Sequence, residues 1–188
     1  MLSADDPLPF APRRIVIAGT TGVGKSTLAR RLAELWELEY TELDSLFHGA
    51  GWTQRPEFLD DVRRVADVDR WVSEWGYFSS GGGQLLGARA DLAVWLDFPR
   101  RIARTRLLRR TLRRRIRRER LWNDNVEPPL WTVLSDPDHI LRWEMRTHGT
   151  WKKRMPVVAA EYDLTVVRIT HPRDLERWLE GPAAAVAR

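Results

Sequence analysis

The feature that most constrains this chain is a glycine-rich run that directly follows a short apolar segment. Arg13 to Ala18 reads RRIVIA, and the residues after it read GTTGVGKS. A β-branched run of this length is typical of a strand that is buried on both faces of a parallel sheet. The apolar repeat at Leu28, Leu32 and Leu35 predicts a helix that packs on that sheet. A strand, a glycine-rich turn and a helix in this order form a cradle for phosphate groups.

The run from Gly19 to Ser26 matches the phosphate-loop pattern G-x-x-x-x-G-K-[ST] in the structural context that the pattern requires. Glycines let backbone N–H groups approach the phosphates, Lys25 carries a positive charge to the β and γ oxygens, and the Ser26 hydroxyl is suited to ligate Mg²⁺. The sequence therefore predicts a site for ATP and Mg²⁺, and a turn that binds nothing is the alternative. The predicted contacts are Gly19, Thr20, Thr21, Gly22, Val23, Gly24, Lys25, Ser26 and Thr27.

Short apolar runs alternate with helical patterns along the rest of the chain. Further strands are predicted at 39–43, 70–74, 92–97 and 164–169. A last helix is predicted from Pro172 to just before Gly181. This rhythm predicts an α/β fold, with a three-layer, doubly wound, five-stranded parallel sheet in one domain of residues 1–188. Because no NKxD guanine-reading sequence occurs, a small ATP-dependent phosphotransferase is expected.

One segment carries most of the positive charge. The chain has 31 Lys and Arg residues against 26 Asp and Glu residues, a net charge of +5, and 12 of its arginines fall between Arg100 and Arg120. The remainder is net negative, which argues against a uniformly basic nucleic-acid coat and favours a localised polyanion site. The segment is predicted to be a helix with one apolar stripe, formed by Ile102, Leu108, Leu112 and Ile116.

Arginines four residues apart on such a helix repel each other, and bound anions would offset this repulsion. We therefore expect an arginine-rich lid at about 100–138 that closes over the triphosphate. Arg109 and Arg113 are predicted to contact the transferred phosphoryl oxygens and to take part in catalysis, as is Lys25. Trp122, at the end of the lid, is expected to contact adenine or ribose together with Asn123 and Asn125. The alternative is that the arginines track a nucleic-acid backbone.

Asp44 is predicted to end the second strand, at the sheet edge where α/β proteins bind ligands. Its carboxylate is suited to accept the proton of an acceptor hydroxyl, and a helix N-cap is the alternative. His48, Trp52 and Arg55 follow in the same segment and are further candidates for acceptor binding. Trp52 is suited to stack on a base or to anchor a loop, and Arg55 is suited to pair with a phosphate. Asp44 thus favours a hydroxyl acceptor and Arg55 a phosphate acceptor, and both remain open.

Two longer stretches carry a family resemblance. LDSLFHGAGWTQRP, from Leu43 to Pro56, and RRTLRRRIRRERLWNDN, from Arg109 to Asn125, resemble the adenylate-kinase-like P-loop proteins of the topology-modulation (FlaR-type) family. The resemblance implies a nucleoside-monophosphate-kinase-like fold, with an acceptor-binding segment at about 43–70 and an arginine-rich lid. It also implies that the acid ending the third strand holds a Mg²⁺-bound water. Here that acid is Glu74, in WVSEWGY, where the family has W-x-x-D-G-N-Y.

Three functions remain open from the sequence. The first is a kinase that moves the γ-phosphoryl group of ATP to a nucleoside monophosphate or a hydroxyl compound. The others are a nucleic-acid-associated ATPase and a nucleotide sensor with a weakened active site. The chain has no cysteine, which excludes disulfides and thiol chemistry, and it has no apolar run of membrane length. We therefore expect a cytoplasmic protein that acts on a small molecule and has no membrane partner.

Overall fold

The computed structural model describes residues 1–126, Glu144, Thr147 and 149–187. The strands are β1 (Arg14–Gly19), β2 (Glu39–Thr41), β3 (Trp71–Glu74), β4 (Leu92–Leu96) and β5 (Thr165–Ile169). They form one parallel sheet in the order β2-β3-β1-β4-β5. The predicted α/β fold with a five-stranded parallel sheet is confirmed.

Helices cover both faces of this sheet, as buried parallel strands require. They are α1 (Lys25–Trp36), α2 (Leu43–Phe47), α3 (Phe58–Asp67), α4 (Gly82–Gly87), α5 (Arg100–Arg117), α6 (Thr150–Glu161) and α7 (Pro172–Trp178). One apolar layer packs beneath α1, α5 and α7, and the other packs beneath α3, α4 and α6. None of the helices in the described parts of the chain is long and apolar enough to cross a membrane.

The central position of β1 determines where the phosphate loop emerges. β1 pairs with β3 on one side and with β4 on the other, so that Ile17 lies opposite Glu74 and Gly19 lies opposite Leu96. The loop after Gly19 therefore leaves the sheet at the carboxyl edge, between the ends of two buried strands. Ligands of open α/β sheets bind at such an edge.

Two predicted element ends differ from the structure. β2 ends at Thr41, so Asp44 lies in the first turn of α2 and does not end a strand. The last helix does not end before Gly181, because a π-helical turn carries the chain on from Leu179 to Ala183. Ala183 is buried there, and its carbonyl accepts a 3.0 Å hydrogen bond from the Trp36 indole. Packing on α1 thus overrides the helix-ending tendency of glycine.

The predicted apolar stripe of α5 is wrong. Leu108, Leu112 and Ile116 are 44%, 47% and 72% exposed, whereas Ala103, Leu107 and Thr111 are buried. The buried stripe packs on the phosphate loop at Gly22, where a Cβ atom would lie 2.7 Å from the Leu107 Cβ atom. Both stripes have the same helical spacing, so periodicity alone could not distinguish them. Of the predicted lid at 100–138, residues 127–138 lie outside the described residues.

Candidate active site

The phosphate loop presents backbone N–H groups rather than side chains. Gly24, at the N-cap of α1, has φ of 115°, and no side chain caps the helix. The first turn of α1 contains no acid that would compete for its N–H groups. Uncapped N–H groups at a helix N-terminus, together with the helix dipole, bind anions. The loop therefore has the backbone arrangement expected for a nucleotide phosphate.

Lys25 lies at the centre of this loop. Its Nζ donates hydrogen bonds to the carbonyl oxygens of Gly19 at 3.1 Å and Thr20 at 3.2 Å. Burial lowers the pKa of the Lys25 ammonium, whereas the carboxylates of Glu74 and Asp44 raise it. Lys25 thus shares its surroundings with the acids that end β3 and begin α2. This places the predicted cation between the phosphate loop and the acceptor segment.

Glu74 has the surroundings expected of a group that helps to hold Mg²⁺. It is 9% exposed, the Tyr40 hydroxyl donates to its Oε1 atom at 2.8 Å, and its Oε2 atom is buried without a hydrogen-bond partner. A buried carboxylate oxygen without a partner fits a site that a metal-bound water completes. No group of three or more His, Asp or Glu side chains that could hold a metal occurs in the described ranges. Ser26 and Glu74 therefore fit an ion that keeps its waters and binds through phosphates.

Asp44 is held by a tyrosine that sequence reasoning missed. The Tyr77 hydroxyl donates a short hydrogen bond to Asp44 Oδ1 and lies 3.4 Å from His48 Nε2. Burial raises the pKa of the Tyr77 phenol, and the nearby carboxylates of Asp44 and Glu74 raise it further. Tyr77 therefore stays protonated and orients Asp44. Asp44 and His48, which were predicted from the sequence, are brought together here.

The acceptor side is acidic. Burial raises the pKa of the Glu42 carboxyl, a hydrogen bond from Trp122 lowers it, and the charges of Glu74 and Asp44 raise it. Arg30 lies 3.8 Å from the Glu42 carboxylate on an exposed side of the site. Burial also lowers the pKa of the His48 imidazole, which keeps it neutral near pH 7.

The two other predicted acceptor residues have structural partners. The Arg55 guanidinium lies 3.1 Å from Asp61 and donates to the Leu46 carbonyl oxygen at 3.3 Å. Trp52 lies edge to face with His48, with ring centroids 5.0 Å apart. Arg55 thus anchors the acceptor segment to α3, while Trp52 adds to an aromatic cluster around His48.

The arginines of α5 divide between two faces. Arg106 donates to the Val23 carbonyl oxygen at 2.7 Å, and the charge of Arg110 lowers the pKa of Lys25. Arg106, Arg109 and Arg113 are all exposed, and Arg113 lies 3.4 Å from Glu119. The arginines nearest the phosphate loop are therefore Arg106 and Arg110, one helical face away from the pair chosen from the sequence.

Similarity to known proteins extends over most of the chain. The chain is 27% identical to the shikimate kinase of Caulobacter vibrioides over 185 residues, which cover 89% of this chain and 88% of that protein. It is 31% identical to the shikimate kinase of Halorhodospira halophila over 147 residues, 70% of this chain and 80% of the relative.

A solved structure shares the fold at lower identity. The shikimate kinase of Bacteroides thetaiotaomicron superposes with a TM-score of 0.53 at 14% identity, covering 90% of this chain and 96% of that one. No family model matches the sequence. These relatives support the adenylate-kinase-like P-loop fold, whereas membership of the topology-modulation group stays a prediction.

Proposed function

The chain belongs to the shikimate kinase family of P-loop kinases, and from this premise we propose that Asp44 accepts the proton of an acceptor hydroxyl during phosphoryl transfer. The protein is an ATP-dependent small-molecule kinase that uses Mg²⁺ and phosphorylates a hydroxyl acceptor. A bond forms between the acceptor oxygen and the γ-phosphorus, the bond from that phosphorus to the bridging oxygen breaks, and ADP leaves. The observation that carries the proposal is the Asp44 carboxylate, oriented by Tyr77 in the surroundings of Lys25.

Each residue on the phosphate side has a separate task in this proposal. Lys25 leaves the loop carbonyls and neutralises the β and γ oxygens, while the loop N–H groups position the phosphates. Ser26 and Glu74, the latter through water, would hold Mg²⁺. When bound, Mg²⁺ offsets the negative charge of the phosphate oxygens. The buried, unpaired Oε2 atom of Glu74 supports a working site over a nucleotide sensor.

The position of Arg55 supports a hydroxyl acceptor over a phosphate acceptor. A nucleoside monophosphate would need a cation for its phosphate, and the guanidinium of Arg55 is engaged with Asp61. A hydroxyl needs a base, and Asp44 supplies one. His48 and Trp52 line the acceptor side in this proposal, and Glu42 adds to its negative charge.

A hydroxy acid such as shikimate is the acceptor that we propose within this class. The carboxylate would need a cation, and we propose Arg154 of α6, a half-buried arginine, for this role. Its guanidinium lies 4.3 Å from the ring centroid of Phe78, the neighbour of Tyr77 in the chain. This cation was missed by sequence reasoning, because nothing around it in the sequence marks it.

The arginine helix serves the phosphates in this proposal. Arg106 and Arg110 are the arginines of α5 that lie nearest the phosphate loop. A contact of Arg109 or Arg113 with the transferred phosphoryl group stays a prediction. The relatives are small-molecule kinases, which favours this function over a nucleic-acid-associated ATPase.

An acceptor panel tests the proposed function. ADP release from Mg-ATP would be measured with shikimate, neutral myo-inositol or CMP. We expect turnover with shikimate, and Asp44→Asn should lower kcat about 10²-fold to 10³-fold while leaving the KM for ATP unchanged. Asp60→Asn, at a carboxylate that is 74% exposed, is the matched control.

Each component of the proposal can fail separately. Phosphorylation of CMP alone would show that the acceptor is a phosphate. Turnover with myo-inositol and none with shikimate would show that the acceptor needs no carboxylate and that Arg154 does not have the proposed role. A wild-type kcat in Asp44→Asn would show that Asp44 does not accept the proton of the acceptor hydroxyl.

A further inference from the structure

The turn that follows α5 docks on the acceptor segment. This turn, Trp122–Asp124, is followed by Asn125, which is 6% exposed. The Asn125 amide donates to the carbonyl oxygens of Gly49 at 2.8 Å and Trp122 at 2.7 Å. Its carbonyl oxygen accepts from the backbone N–H of Trp52 at 3.1 Å. One buried side chain therefore joins two segments that lie far apart in the chain.

A second amide strengthens this contact from the exposed side. Asn123 donates from its side chain to the His48 carbonyl oxygen at 2.5 Å. Both asparagines were expected to contact adenine or ribose, together with Trp122. The structure places all three against the acceptor segment, and their contact with adenine or ribose stays a prediction.

Docking brings Trp122 into the aromatic cluster of the acceptor segment. Its ring stacks on His48, with centroids 5.8 Å apart and planes at 23°, and meets Trp52 edge to face at 6.2 Å. His48 lies 3.4 Å from the Tyr77 hydroxyl, which donates to Asp44. Two side chains therefore separate Trp122 from the proposed proton acceptor.

Left-handed backbone is concentrated on both sides of the contact. Trp52 has φ of 62°, Asn123 has φ of 55° and Asp124 has φ of 61°. Asn and Asp adopt such angles readily, whereas a Trp rarely does. Strained backbone persists only where the surroundings hold it, and it clusters at ligand clamps. This supports a built contact between the two turns.

We propose that Trp122 forms one wall of the acceptor site and determines which acceptors fit, and that Asn125 is the positioning residue that holds Trp122 there. This inference rests on the proposed function. The Arg114 guanidinium of α5 lies 5.9 Å from the Trp122 ring centroid. The segment that carries arginines to the phosphate loop therefore also completes the acceptor side.

Steady-state kinetics with shikimate and with myo-inositol test this inference. Trp122→Ala and Asn125→Ala should each raise the KM for shikimate about tenfold, with kcat and the KM for ATP within about twofold of wild type. Trp122→Phe keeps the stack and should restore most of the affinity. The double variant should be no worse than either single one, because Asn125 acts through Trp122. Trp122→Ala should also lower the preference for shikimate over myo-inositol.

The matched control lies in the same turn. Asp124→Asn tolerates the left-handed backbone and loses only an ion pair to Arg120 in which both side chains are 76% exposed. It should behave as wild type. Where Asn125→Ala fails to fold, the comparison of Trp122→Ala with Trp122→Phe carries the test, since Trp122 is only half-buried.

Four results would overturn the inference. A raised KM for ATP with an unchanged KM for the acceptor would show that Trp122 contacts the nucleotide and not the acceptor. Additive effects in the double variant would show that Asn125 does not act through Trp122. Wild-type kinetics in all variants would show that Trp122 does not form a wall of the acceptor site, and the proposed function would be unaffected. If the wild-type protein phosphorylates neither acceptor, the proposed function fails, and the inference fails with it.

Discussion

The phosphate side and the acceptor side of the active site are built in different ways. The phosphate side uses the backbone of consecutive residues, Gly19 to Ser26, and one lysine. The acceptor side uses side chains from separate segments, with Tyr77 on Asp44 and Asn125 on Trp52. Substitutions on the phosphate side should therefore affect every acceptor alike, whereas those on the acceptor side should change the choice of acceptor.

The largest effect is expected at Lys25. Lys25→Met removes the charge at the γ-phosphoryl group and should lower kcat/KM about 10³-fold with every acceptor, because electrostatic stabilisation dominates phosphoryl transfer. ADP release measures it, and Lys153→Met, at an exposed lysine, is the control. An effect confined to shikimate would break the distinction between the two sides.

The next largest effect is expected at Gly22. It has φ of 80°, and a Cβ atom there would meet Leu107 at 2.7 Å and the Ala103 carbonyl oxygen at 2.9 Å. Gly149 has nearly the same φ, 83°, but among the described residues nothing lies within 4 Å of a Cβ atom placed there. Gly149→Ala should therefore cost only the backbone strain, about 1 kcal/mol, and Gly22→Ala about 1–3 kcal/mol more. Urea unfolding measures both, and equal losses would mean that α5 yields at this contact.

A smaller difference, in the KM for ATP, is expected between arginine substitutions at two positions of α5. Arg106→Ala removes a cation that donates to Val23 and should raise the KM for ATP about tenfold. Arg109→Ala, one helical turn further along α5, should change the KM for ATP by no more than about twofold. Initial rates at varied Mg-ATP separate the two. A comparable loss in Arg109→Ala would support the lid contact predicted from the sequence.

The smallest effect concerns pH on the acceptor side. Burial lowers the pKa of His48 from its usual 6.5, so the unfolded chain binds a proton more readily than the folded one. The stability that neutral His48 contributes is complete above pH 6.5 and is lost as the pH falls through the lower folded-state value. The difference in the free energy of unfolding between wild type and His48→Gln, measured in urea, should show this decline between pH 7 and pH 5. His171→Asn, which keeps an N-cap acceptor, is the control, and a flat difference would contradict the burial of His48.

The phosphate side could be predicted because its signals are local. The strand, the glycines, Lys25 and the helix follow one another, and the spacing carries the chemistry. The acceptor side could be predicted only in part, because Tyr77 lies 33 residues from Asp44, and Asn125 lies 73 residues from Trp52. Asp44 and His48 stood out by type and place, whereas nothing near Tyr77 in the sequence marked its hydroxyl as a partner.

The arginine helix shows a second limit of sequence reasoning. Leu108 and Leu112 look like core residues by spacing, yet Leu107 and Ala103 are the buried ones. The choice depends on Gly22, whose lack of a side chain lets α5 approach the phosphate loop at Ala103 and Leu107. The same rotation explains why Arg106 lies nearer the phosphate loop than Arg109.

The central place of β1 in the sheet also governs how the protein folds. Its neighbours β3 and β4 come after α1, β2, α2 and α3 in the chain, so pairing requires the closure of long loops. Such non-local contacts slow folding. Gly19 at the start of the phosphate loop lies opposite Leu96, so the sheet edge that supports the loop is complete only after β4 has paired. ATP would then stabilise the finished fold by mass action without helping the chain to reach it.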